Sequence, residues 1–191
     1  MAKVCDCFPE LKITTLEREA RYRADPQQRA PEGPQSSLEI NVTSIGDLNE
    51  RVSTRNSKQS FVISEPKHVG GLGDAPTPLE YLLSGAVGCY AAVFAFYAAK
   101  MGVDYESFEA VARTDFDVRG HMMPDAPPSG FQKVTIAIAV KSGAPAEQLR
   151  EVERLALAGC PGIATLRDPV PVETTLSVVR ADPGSIEPGR L

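Results

Sequence analysis

The chain has 191 residues, 42% of them hydrophobic, with 25 acidic against 20 basic side chains and a net charge of -5, which is enough material for one sizeable core and argues for one domain with extensions. An acidic balance without a clustered basic face argues against nucleic acid or an anionic membrane as partner. The opening MAKVCDCFPELKITT has neither the apolar run nor the small-residue cleavage site of a secretory signal, so a cytoplasmic protein is expected, with its four cysteines serving redox or metal chemistry and not a disulfide framework.

Residues 1–36 are polar and close on Pro26, Pro31 and Pro34, which predicts an arm and a linker with a short helix over Lys12 to Ala24. The basic residues there, Arg18, Arg21, Arg23 and Arg29, are interrupted by Glu19 and Asp25 and read as a solvated surface. From Ser37 the pattern alternates, with Leu38, Ile40 and Val42 on one face, and after a turn near Gly46, Asp47 and Asn49 a second strand region runs from Arg51 to Ser64. The two are expected to form a hairpin. Pro66 to Pro76 holds Gly70, Gly71 and Gly73 but lacks a phosphate-binding glycine pattern, so it reads as a turn.

Thr77-Pro78-Leu79-Glu80 then opens a helix, with threonine as cap, proline at the first helical position and glutamate completing a capping box. It is predicted to end near Met101, with Gly102 in the left-handed terminal position. Inside it lie 19 uncharged residues, Tyr81 to Ala99. A helix of that length comes close to spanning a bilayer, at about 28 Å. The abundance of Ala, Gly and Ser, the lack of flanking Lys/Arg clusters and the strand patterns on both sides favour a central helix of a soluble fold over a membrane span. Ser84, Gly88 and Ala92 recur every four residues, a spacing that permits close helix approach, so two such helices are expected to pack across a two-fold axis.

Alternating segments follow at Ser107 to Val118 and Phe131 to Val140, joined by a Pro/Gly-rich loop. Ser142 to Pro145 starts an amphipathic helix with Leu149, Val152, Leu155 and Ala156 on one face, and Gly159 ends it. Cys160 to Leu166 is expected as a short turn, Val172 to Val178 as a last strand, and 181–191 as a tail. The order ββ-α-ββ-α-β is an α+β fold.

Cys89 and Cys160 are the residues closest to chemistry. A thiol in the middle of an apolar helix, as at Cys89, is usually a packing residue. One directly before a proline that opens a helical turn, as at Cys160, is the more reactive setting, because a helix N-terminus favours the thiolate. If the fold joins them, they form a reactive and a resolving sulfur. Cys5 and Cys7 supply only two of four metal ligands, and the histidines, His68 and His121, lie in loops, so no metal or cofactor is expected.

The stretch PTPLEYLLSGAVGC (Pro76 to Cys89) followed by a long small-residue helix, with CPGIATL (Cys160 to Leu166) after an amphipathic helix, resembles the OsmC/Ohr family of thiol-dependent peroxidases over about residues 37–180. The resemblance implies an intertwined homodimer that reduces organic hydroperoxides and is regenerated by a small or lipoyl-type dithiol. It implies Cys89 as the peroxidatic cysteine, Cys160 as the resolving one, Glu80 as a site carboxylate, and an arginine of the early strands, Arg51 or Arg55, as its partner. Such an arginine would hold the Cys89 thiolate and stabilise the developing alkoxide. Two rival readings stand beside this one. The first is a dimer of the same fold that binds an apolar molecule while its thiols stay inert, and the second is a redox sensor holding a metal through Cys5 and Cys7.

Overall fold

The structure, a computed structural model, describes residues 8–27, 36–123 and 125–178. Cys5, Cys7, Arg29 and the tail 181–191 lie outside them. The fold is α+β, and its elements run α1 (Phe8–Ala24), β1 (Ile40–Gly46), β2 (Asn49–Thr54), β3 (Ser60–Ser64), α2 (Pro78–Met101), β4 (Ser107–Asp115), β5 (Lys133–Lys141), α3 (Ala146–Gly159) and α4 (Pro161–Arg167).

The predicted helix near the N-terminus is present and begins earlier, at Phe8. It docks on α2: Leu11 packs against the core and Glu19 pairs with Lys100 at 2.5 Å. The expected hairpin is instead a three-stranded antiparallel meander, β1-β2-β3. The region from Arg51 to Ser64 breaks because the polar run after Thr54 makes its own turn. The Thr54 hydroxyl accepts from the Gln59 N–H at 3.1 Å and meets the Ser57 hydroxyl at 2.6 Å. Between β1 and β2, Asp47 and Leu48 both have positive φ, 52° and 53°, as the primed turns that suit twisted hairpins require.

Helix α2 is the axis of the molecule. Thr77 caps it in a full capping box and Gly102 closes it at φ 69°, both as predicted. Length and composition would let it cross a membrane, but one face is core: Ala86, Tyr90, Phe94 and Ala98, spaced four apart, are buried. Phe94, fully buried, meets Phe108 at 5.1 Å and Tyr105 at 5.6 Å between ring centroids. The hairpin β4-β5 lays Phe108, Ile136, Ile138 and Val140 on this cluster, and α3 adds Leu149, Val152 and Ala156. Each such side chain contributes about 1.5–3 kcal/mol when fully buried.

Two sequence expectations fail here. Cys160 to Leu166 is not a turn but the start and body of α4, because Pro161 occupies the first helical position and the Cys160 carbonyl accepts from the Ala164 N–H at 2.9 Å. Val172 to Val178 forms no strand. Among the described residues no strand pairs with it, and Val172 and Leu176 stand 85% and 87% exposed.

Candidate functional site: two thiols between α2 and α4

Cys89 lies halfway along α2 and is half-buried, while Cys160 sits at the elbow between α3 and α4 and is buried in the core. The approach of α4 to α2 packs both into one cluster, close enough for each thiol to feel the other's charge. That approach depends on a residue the sequence reading passed over, Gly162. A Cβ placed there would lie 3.0 Å from the Cys89 Cβ and 3.1 Å from the Ala86 Cα, closer than packed atoms ordinarily come. Glycine lets α4 rest this closely on α2, where any Cβ would force its neighbours to give by a few tenths of an ångström, and the hint of it in the sequence is the CPG triplet.

The setting of Cys160 disfavours its charged form. Burial pushes the Cys160 thiol above its ordinary value, the neighbouring Cys89 adds to the rise, and the N–H groups of Ile163 and Gly162 pull the other way. The expectation that the helix start favours the Cys160 thiolate fails, because desolvation outweighs the pull of a few N–H dipoles. Next to them, burial and the charges of Glu153 and Cys160 push the Tyr90 phenol up to about 12, so it stays protonated beside the Cys160 sulfur. Sequence reading did not single out Tyr90, which looks like one more apolar residue of the helix.

The other predicted site residues lie elsewhere. Glu80 folds back on its own helix start, where its carboxylate accepts from the Thr77 N–H at 2.8 Å and the Thr77 hydroxyl at 2.9 Å. It borders a cavity of about 650 Å³ with Tyr81, Leu83 and Ala110 that neither cysteine lines. Arg51 is exposed on β2, between Thr43 and Val62 of the flanking strands, and among the described residues it makes no ion pair. Arg55 pairs with Glu39 at 2.6 Å. Within one chain, then, the fold joins the two sulfurs but not the carboxylate or the arginine. Among the described residues no group of three or more His, Cys, Asp or Glu gathers as a metal site.

The cap makes a pH prediction. Hydrogen bonds from the Thr77 backbone and hydroxyl hold the Glu80 carboxyl below its ordinary value of 4.5. Its contribution to stability is thus present above that pH and lost as pH falls through the lowered value. Solvent screens the exposed group, so the effect is small. Thermal melts of Glu80→Gln should show a shallower loss of Tm than the parent chain between about pH 5 and pH 3. Parallel curves would mean that the charge at this cap contributes nothing.

A sequence profile for the family described as OsmC-like protein matches residues 71–175. Solved structures share the fold. An OsmC-like protein from Mycoplasma pneumoniae superposes with a TM-score of 0.60 at 16% identity, covering 70% of this chain and 89% of that one. A putative osmotic stress induced and detoxification response protein from Psychrobacter arcticus gives 0.57 at 21%, with 69% and 89% covered. An organic hydroperoxide resistance protein from Legionella pneumophila gives 0.53 at 18%, with 69% and 90% covered. Comparison with curated proteins gave no match.

Proposed function

Because this chain belongs to the OsmC-like protein family, we propose that it is a thiol peroxidase that reduces organic hydroperoxides through Cys89 and Cys160. The observation that carries this reading is the packing of the two thiols near one another at the α2–α4 contact. The similarity to a protein described as an organic hydroperoxide resistance protein supports the substrate class.

The half-buried Cys89 is the sulfur that a peroxide reaches first. Its thiolate attacks the terminal peroxide oxygen, the O–O bond breaks, and the alkoxide takes a proton and leaves as alcohol, with Cys89 as sulfenic acid. The Cys160 thiolate then attacks the Cys89 sulfur, hydroxide leaves and becomes water, and a disulfide closes. A dithiol of lipoyl type returns both sulfurs to thiols by exchange and is itself oxidised to a disulfide.

The missing cation and carboxylate come, in this reading, from a second copy of the chain. Every residue of β1 is exposed, including the apolar Ile40 and Val42 at 61% and 55%, and Ser84, Gly88 and Ala92 form an exposed stripe on α2. A covering subunit fits both surfaces and would bring Arg51 and Glu80 to the other chain's Cys89. Arg51 is the better candidate because Glu39 already engages Arg55.

Gly88 separates helix packing from folding. A Cβ there meets nothing within 4 Å in the single chain, so Gly88→Leu should preserve the fold and even gain up to about 1 kcal/mol in helix propensity. It should also weaken self-association at least tenfold by sedimentation, because the close approach of two α2 helices is blocked. Unchanged association would remove this stripe from the interface.

The test of the function is a thiol titration before and after one equivalent of an alkyl hydroperoxide. Loss of two thiols per chain, abolished in Cys89→Ser, is the expected result. An unchanged count would instead favour the rival dimer with inert thiols.

A further inference from the structure

We propose that the groove between α1 and the C-terminal half of α2 binds a fatty-acid-like carboxylate. It lies outside the thiol site and does not depend on peroxidase chemistry. Because α1 precedes the residues matched by the family profile, one wall of this groove lies outside the matched core and the other, on α2, inside it.

The groove exists because α1 docks through a mostly polar face. Its inward positions, about one per turn, are Leu11, Thr15, Glu19 and Tyr22, and of these Leu11 reaches the core. The Thr15 hydroxyl turns back to the Leu11 carbonyl at 2.7 Å, and Glu19 holds Lys100 at 2.5 Å. Such a contact fastens the helix without filling the space beside it. A cavity of about 610 Å³ remains, with Val93, Phe96 and Tyr97 as its apolar side. That volume is typical of small-molecule sites.

Charge selects the occupant. Arg18, Arg23 and Lys100 border the cavity against a single carboxylate, Glu19. Glu19 is shared, with Lys100 on one oxygen and Arg23 on the other at 2.6 Å. These same partners hold its carboxyl below the ordinary range, so it is ionised at neutral pH and the rim keeps two positive charges in excess. Among the described residues Arg18 pairs with no carboxylate: its guanidinium donates to the Tyr22 hydroxyl at 2.9 Å and lies 5.7 Å from that ring. In a protein of net charge -5, a cationic rim around an aromatic floor is a local exception. A guanidinium fork matches a carboxylate in bidentate geometry, and the Phe96 ring, 38% exposed, gives an alkyl chain an apolar surface to cover.

The experiment is calorimetric titration of the full chain with dodecanoate below its micellar range, repeated with 1-dodecanol and with acetate. Saturable binding of one dodecanoate per chain is expected, at least tenfold weaker for the uncharged alcohol and for the chainless anion. The double variant Arg18→Gln/Arg23→Gln and the separate variant Phe96→Glu should each weaken dodecanoate binding at least tenfold. Ile13→Glu, on the outer face of α1 at 58% exposure, should leave binding unchanged, and so should Cys89→Ser, which separates this site from the fate of the peroxidase reading. The proposal is overturned if dodecanol binds as well as dodecanoate, if Ile13→Glu weakens binding as much as the rim variants, or if dodecanoate does not bind because a second copy or residues 1–7 fill the groove.

Discussion

In Cys160→Ser, peroxide is still consumed once per chain, but turnover with a dithiol falls by about a hundredfold or more, the scale on which loss of a reacting group acts. The Cys89 sulfenic acid then has no neighbouring thiolate to displace its oxygen, and it accumulates or oxidises further. Mass spectrometry of the peroxide-treated variant should show Cys89 carrying one, two or three oxygens. Normal turnover would assign the resolving role elsewhere. In the parent chain, burial holds the Cys160 thiol above its ordinary value, so the reactive thiolate is scarce at neutral pH. Disulfide closure in rapid-mixing experiments should therefore accelerate about tenfold per pH unit as long as the pH stays below that raised value. A pH-independent closure would mean that attack by the Cys160 thiolate does not limit it.

Gly162→Val strikes the same step from the other direction. The added Cβ falls 3.0 Å from the Cys89 Cβ and 3.1 Å from the Ala86 Cα, and a helix backbone has little freedom to give way. Overpacking of this kind costs about 1–3 kcal/mol, and α4 would relieve it by moving off α2 and taking Cys160 along. A displacement of about 1 Å in a reacting pair costs about a hundredfold in rate. The expected result is a folded chain with lowered Tm, undiminished sulfenic acid formation at Cys89, and disulfide closure slowed by that order. Closure at the parental rate would show that the α2–α4 distance does not govern the chemistry.

The sequence by itself determined what local rules govern. The box Thr77 to Glu80 and Gly102 delimited α2 because capping hydrogen bonds are made within one turn. The face Leu149, Val152 and Ala156 was legible from helical periodicity, and the alternation of β4 and β5 from strand periodicity. The CPGIATL and PTPLEYLLSGAVGC motifs pointed to the family, and with it to the two cysteines. Local rules misled where a competing contact was distant or missing. Val172 to Val178 alternates like a strand, yet it docks on neither sheet, and alternation alone does not make a ladder. The break between β2 and β3 turned on side-chain hydrogen bonds of Thr54 that no alternation pattern records.

Only the tertiary structure decided the character of the site. Local sequence marked Cys160 as the activated thiol through its helix start, but its burial depends on Tyr90, Ile163 and Val152 arriving from three helices, and desolvation wins over the dipole. The role of Gly162 is likewise a distance between two helices far apart in the chain, α2 and α4, invisible to any local signal. Glu80 shows the reverse case: the sequence allowed both a cap and a catalytic group, and within one chain the fold turns its carboxylate onto Thr77. Propensity, capping and periodicity act over a few residues and can be read in order, whereas solvation and close approach are properties of the packed volume and exist only once the chain has closed on itself.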